Sequence, residues 1–274
     1  MSKNVIKSYK GFDKDMKCRD FQYEVGKEYD MDGEIKCCNR GFHACKSPLE
    51  VWDYYDMLNS RFAEVEQSGK IDEEEKSTKV CSSHIKIKAE LKLADIINIG
   101  VEWLKDITSP SKVKTDGALS DNGVRKKQIG SSGYSAKIGS SGDSAKIGSS
   151  GDSAQIGSSG DSAKIGSSGD YAKIGSSGDY AQIGSSGDSA QIGSSGYSAQ
   201  IDSTGEDSVI MCAGNKSKAK AKIGSWITLA EWEWSDEKNR CVPVCVKTEY
   251  VDGENIKADT WYQLKNGKFV EVEE

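Results

Sequence analysis

The chain has two histidines and three prolines among its 274 residues, and no apolar run long enough to cross a bilayer as a helix. So little proline argues against a Pro-rich stalk. The opening MSKNVIKSYK lacks the apolar stretch of a secretory signal, and these absences lead to the expectation of a cytoplasmic protein. A paired Cys-x2-Cys knuckle is missing, and a formal net charge of -6 gives no basis for general attraction to nucleic acid. Eight cysteines would suit a small secreted disulfide scaffold, but without a signal segment they read as reduced thiols or metal ligands.

What the chain does contain is a nine-residue phrase, IGSSGDSAK or IGSSGDSAQ with small changes, running from residue 129 to residue 218 without a slip in spacing. Isoleucine holds the first place from Ile129 to Ile210, and glycine the fifth from Gly133 to Gly214. A fixed period of this kind indicates stacked repeats. A flexible Gly/Ser linker has no reason to keep an alanine two residues before each isoleucine from Ala136 to Ala199. Ala-x-Ile alternates with period two, which points both side chains inward and leaves Ser, Lys, Gln and Gly outward. Ser-Ser-Gly-Asp then makes the bend with residues that tolerate the left-handed conformation. One repeat holds one short strand and one turn, so it cannot close by itself. Two repeats per coil give opposed sheets over a thin Ile and Ala core, and a rod about 24 Å long. Three per coil give a shorter triangular prism; the thin interior favours the two-sheet form.

The expected architecture is mainly β with an α+β head. It divides into a head domain (1–108), a connector with an irregular first coil (109–128), a nonapeptide-repeat β-solenoid (129–218) and a C-terminal β cap (219–274). Strands in the head are expected over 4–9, 21–25, 41–45, 61–67 and 83–91, the last placing Ile85, Ile87, Ala89 and Leu91 on one face. SPLEVWDYYDML predicts a helix, with Ser47 as cap, Pro48 in its first turn and Glu50 completing a capping box. A second helix is expected from Leu93 to Lys105, with Gly100 as its weak point. In the cap, Asn266-Gly267 predicts a hairpin turn.

Several groups could carry chemistry. Cys37, Cys38, His43 and Cys45, with Cys81 and His84, contain ligand types that zinc prefers. Against that, Gly-Phe-His-Ala-Cys alternates like a plain buried strand, and free cysteine is commonly buried, so no metal and no cofactor are assigned. A Cys-His nucleophile pair lacks a third, orienting group. Asp143, Asp152, Asp161, Asp170, Asp179 and Asp188 share the sixth place of the repeat and resemble the calcium-binding β-roll, but the phrase GGxGxDxUx is not met. The simpler reading is a side chain that caps its own turn. Stacked at interstrand spacing, the same carboxylates could also mimic a line of phosphates for a basic groove on a partner protein. Tyr171 and Tyr180, at the seventh place, are further candidate contacts, on opposite faces in the two-sheet form. Ice binding would require a threonine array, and the repeats hold only Thr204.

SYKGFDKDMKCRDFQYEVGKEYDMDGEIKCCNRGFHACKSPLEVWDYY resembles, through its KGF, CRxFQYEVGKxY and GFHAC-x2-PLxV phrases, an uncharacterised domain of phage, prophage and bacterial proteins often followed by Gly-Ser-Ala repeats. The resemblance covers roughly residues 7 to 104 and implies a phage or mobile-element context, with no activity to carry over. The strand GFHAC, the helix after it and the strand RFAEVE are also similar in order to part of ADP-ribosyltransferase-like folds, for which His43, Tyr54 and Glu64 or Glu66 would be the nominees. The leading expectation is a non-catalytic interaction protein that binds a host protein and acts, in the manner of an anti-CRISPR inhibitor, on a nucleic-acid-handling defence complex. It would touch neither nucleic acid nor membrane. The alternatives are a head-domain enzyme or toxin with the solenoid as spacer, and a structural or adhesive fibre-type protein.

Overall fold

A computed structural model describes residues 5–74, 77–108, 118–120 and 127–273. The chain forms two compact units, Met1–Trp103 and Leu104–Glu274.

In the first unit, five antiparallel strands (Ile6–Phe12, Glu28–Asp30, Phe42–Cys45, Arg61–Glu73 and Lys79–Leu91) pair so that four of them close a ring. The two long strands pair with each other and each reaches a shorter partner, while a bridge between Tyr9 and Cys45 joins those partners. Phe12, Phe42, Val65, Ile85 and Ile87 fill the interior. Gln67 lies among them fully buried, and its amide is satisfied there. Its Oε1 accepts from Ser8 Oγ at 2.7 Å, and its Nε2 donates to the Phe42 carbonyl at 2.7 Å and to Ser82 Oγ at 3.0 Å. A buried amide left unpaired would be costly, so this network ties four strands together in register.

Three expectations for the head need correction. The strand expected over 21–25 is only Phe21–Gln22, paired with Lys17–Cys18. SPLEVWDYYDML holds only a five-residue 3-10 helix, Leu49–Asp53, without a side-chain cap. Glu50 makes no capping box, because its carboxylate accepts from the Thr78 backbone N–H at 3.1 and 3.2 Å. The shared face of Ile85, Ile87, Ala89 and Leu91 ends at Ile87. A bulge opposite Glu64/Val65 inserts Lys88, and Ala89 turns out to solvent. The expected second helix is present as Leu93–Thr108. Its Gly100 is a packing requirement, since a Cβ there would lie 2.6 Å from the Leu49 side chain.

The second unit is the solenoid, with about six turns between residues 128 and 229. Each repeat contributes one four-residue strand, such as Lys164–Ser167, and successive strands alternate between two sheets. Within a sheet the pairing is parallel and advances 18 residues, as in Ile138↔Ile156 and Ile165↔Ile183. Two repeats therefore make one coil. Ile and Ala point inward as expected and are buried along the whole column. The third-place serines also point inward: Ser149, Ser158, Ser167, Ser176, Ser185 and Ser194 are buried with no hydrogen-bond partner for the hydroxyl. Their small volume lets the sheets approach over a core of isoleucine and alanine.

The turn chemistry also differs from the simple reading. The left-handed residue is the seventh, not the glycine or aspartate: Ser135 to Lys216 at that place have φ between 52 and 58°. Its N–H donates to the sixth-place carbonyl of the next coil, as from Ser144 to Asp161 at 2.7 Å. The fifth-place glycine is needed for a different reason. A Cβ on Gly169 would drive into the carbonyl of Gly151, directly beneath it in the preceding coil, and the same clash recurs from Gly151 to Gly214.

The stack ends in antiparallel structure. Trp226–Ser235 continues one sheet in parallel and then pairs with Arg240–Tyr250. The hairpin Tyr262–Lys265 with Lys268–Glu271 adds to the other, turning at Asn266-Gly267 with φ of 50 and 65°. Val251, Ile256, Tyr262 and Leu264 close the core, so the last coil is covered.

Two glycines six residues apart, at the fifth place of one repeat and the second place of the next, separate the stacking constraint from simple composition. Gly169→Ala is expected to lower stability by about 3 kcal/mol or more, through overpacking against backbone. Gly175→Ala, whose Cβ would meet nothing within 4 Å, should change it by less than about 1 kcal/mol. Urea unfolding of the two variants checks this.

Candidate functional site

The six aspartates divide between two corners of the coil, with Asp143, Asp161 and Asp179 on one and Asp152, Asp170 and Asp188 on the other. Each reaches forward by one coil rather than capping its own turn. Asp161 Oδ1 accepts from the Asp179 N–H at 2.9 Å, Asp170 Oδ1 from Asp188 at 2.8 Å and Asp179 Oδ1 from Tyr197 at 2.7 Å. The carboxylates thus form two ladders stitched by charge-assisted hydrogen bonds to backbone, and this sets their spacing. Among the described residues, no three His, Cys, Asp or Glu side chains are grouped as a metal site would require.

Tyr171 and Tyr180 are exposed in the left-handed position of their turns. They stand on opposite corners, next to Asp170 and Asp179. Tyr180 has a partner that the sequence reading did not include: Tyr197, one coil on, meets it edge-on at 5.5 Å, with Lys216 Nζ 5.4 Å from the Tyr197 ring. The 18-residue register would have pointed to this pair, since Tyr197 stands where the ladder would place the next aspartate after Asp179.

The two sheets have different outer faces. On one, Lys146 is buried, and near the end Trp261 lies under the ammonium groups of Lys218 and Lys220, 4.7 and 5.0 Å from its ring. Lys220 also pairs with Asp202 at 3.2 Å; burial pushes the Asp202 carboxyl up to about 6, against the pull of that ammonium. The other face is open. It carries Lys137, Gln155, Lys173 and Gln191 beside a stripe of glycines, and Cβ atoms at Gly157, Gly175 and Gly193 would meet nothing.

That open face becomes apolar toward the cap. In register beyond Gln191 and Gly193 come Val209 and Met211, then Trp226 and Thr228, then Tyr250 and Thr248. Val209, Met211, Trp226, Val244, Val246 and Tyr250 are each between 42% and 59% exposed. Trp226 and Tyr250 rings touch at 5.0 Å, and the Thr228 and Thr248 hydroxyls bond at 2.8 Å. The aspartates drew attention in the sequence and this surface did not. The signal for it was the replacement of the repeat's outward Lys/Gln and Gly by Val209 and Met211.

Within the cysteine and histidine group of the head, His43 and Cys81 are register partners and Cys37 lies against Cys81, while Cys45 and His84 have other neighbours. His43 Nε2 accepts from the Cys38 backbone N–H at 3.0 Å, and burial holds the imidazole below its ordinary value, so it is neutral. His84 Nδ1 instead meets Asp30 Oδ1 at 2.8 Å. Burial pushes both the Cys45 and Cys81 thiols up to about 12, which keeps them protonated rather than nucleophilic. His43 and Tyr54 line one cavity; Glu64 and Glu66 are not among its lining residues and pair with Lys7 at 2.8 Å and Lys88 at 3.0 Å.

Residues 6–99 match the family model of a domain of unknown function, DUF7666. No curated protein and no solved structure matches the chain. No helix among the described residues is long and apolar enough to cross a membrane.

If the aspartate ladders hold coils together, the accepting oxygen matters more there than the charge it carries. Asp170→Asn, which keeps the accepting oxygen and gives up the charge assistance, should lower the thermal midpoint less than Asp170→Ala, which should destabilise by about 1 kcal/mol. Calorimetry of both variants checks this.

Proposed function

We propose that this chain is a non-catalytic interaction protein that docks onto another protein through the open face of its solenoid. The observation that carries the reading is the continuous exposed surface of Val209, Met211, Trp226, Val246 and Tyr250 on one sheet. Contiguous apolar patches on a soluble surface mark sites of association, and Trp, Tyr and Met are the side chains that anchor interfaces. A hydrogen-bonded backbone presents them with little ordering to complete on binding.

In the phage-type context that the head resembles, the partner is a host protein met in the cytoplasm. The carboxylate ladders at the corners then suit a partner with a basic rim, such as a nucleic-acid-handling defence enzyme, and give steering at low salt. The apolar face supplies the affinity and the corners supply the orientation.

The test is capture from the natural host with the full chain and two variants. Trp226→Asp with Met211→Asp should abolish recovery of a specific partner while the circular dichroism stays unchanged. Asp161→Asn with Asp179→Asn should weaken recovery only slightly, and mainly at low salt. Equal recovery by the apolar-face variant, or no partner recovered by the unaltered chain, contradicts the proposal.

A further inference from the structure

The head buries a lysine without a carboxylate partner among the described residues. Lys10 is 3% exposed, on a strand whose neighbours Tyr9 and Phe12 belong to the core. Its Nζ donates to the His43 carbonyl at 3.0 Å and stands 5.6 and 5.3 Å from the ring centroids of Phe12 and Tyr23. Among the described residues no carboxylate lies within ion-pair distance of it. Burial lowers its pKa, against the raising effect of the Cys18 thiol. A buried ammonium held by one carbonyl, the Cys18 sulfur and two ring faces, with no carboxylate beside it, is incompletely compensated.

The same lysine lines a cavity of about 850 Å³ that opens to solvent, in the size range of small-molecule sites. Its basic side chains are Lys10, Arg19, Arg40 and Lys79, against one carboxylate, Asp20. Lys79 is already shared, with Glu74 at 3.3 Å and the Tyr54 ring at 4.4 Å. Aromatic rings form the other wall. Phe21 packs edge-on against Tyr23 at 4.8 Å and against Phe42 at 6.2 Å, while being 44% exposed itself. Across the cavity, Tyr55 Oη donates to Cys18 Sγ at 2.9 Å.

From this juxtaposition we infer that the head binds a small anion carrying a planar ring, of the size and chemistry of a nucleoside monophosphate. The phosphate meets Lys10 and Arg19, and the ring lies against Phe21 and Tyr23. An anion completes the coordination of the buried ammonium, which the protein by itself leaves short. Ring stacking supplies selectivity over inorganic phosphate. This site lies within the head and does not depend on the docking role of the solenoid.

The experiment is titration calorimetry of the full chain with the four ribonucleoside monophosphates, their nucleosides and inorganic phosphate. At least one monophosphate should bind in the millimolar range or tighter, and the matching nucleoside and phosphate alone should each bind at least about tenfold more weakly. Lys10→Met should lose binding by about tenfold or more while the circular dichroism is retained. Phe21→Ala, at an exposed rim position, tests the ring wall should the Lys10 variant not fold, and should also weaken binding. No binding by any monophosphate, equal binding by both variants, or phosphate or nucleoside binding as tightly as the nucleotide overturns the inference.

Discussion

Everything in the repeat region depends on one constraint: each coil must sit directly on the last, at an 18-residue register, close enough for backbone to meet backbone. The fifth-place glycine is where that closeness is tightest, since the carbonyl of Gly151 occupies the space a Cβ on Gly169 would need. Once coils stack at this distance, the other features follow. Seventh-place amides reach the carbonyls of the next coil, and sixth-place carboxylates cap the amides of the coil after their own. The isoleucines align into one column that no single repeat could bury alone.

Much of this was legible in the sequence, because a strict period exposes which places repeat and alternation exposes which point inward. Ile165, Ala163 and the two-sheet coil are examples. What was not legible depends on contacts between coils. The reason for glycine at the fifth place and the forward reach of Asp170 exist only after stacking. The left-handed serine at the seventh place breaks the usual preference of turns for Gly or Asn there. In the head, local signals were overridden by tertiary partners. Glu50 had the spacing of a capping box but serves the Thr78 amide, and a bulge at Lys88 interrupts an alternation that the letters carry through to Leu91.

The regular and irregular parts have distinct capacities. A solenoid whose coils are nearly identical presents a ladder, suited to contact over length and not to a pocket. Its specificity arises where the repeat is broken, at Val209, Met211 and Trp226. The head is the reverse case, a small closed barrel with a concave wall and a buried charge at its base. Its candidate chemistry centres on Lys10, a residue with no motif around it, and not on the cysteines and histidines that stand out by type. Lys10 lies just beyond the strand expected over 4–9, and only the packing of Phe12, Tyr23 and His43 around it shows that it is buried.

The coil register can be measured directly by cysteine pairing on the open face, with the bonded peptides mapped by mass spectrometry. Lys173 and Gln191 stand opposite one another on neighbouring parallel strands, about 4.8 Å apart, within the span a disulfide bridges. Lys173 and Gln182 lie one repeat apart, on different sheets. A chain carrying Lys173→Cys and Gln191→Cys should form the intramolecular bond on mild oxidation, and one carrying Lys173→Cys and Gln182→Cys should not. Bond formation by the second pair and not the first would contradict a coil of two repeats and the stacking built on it.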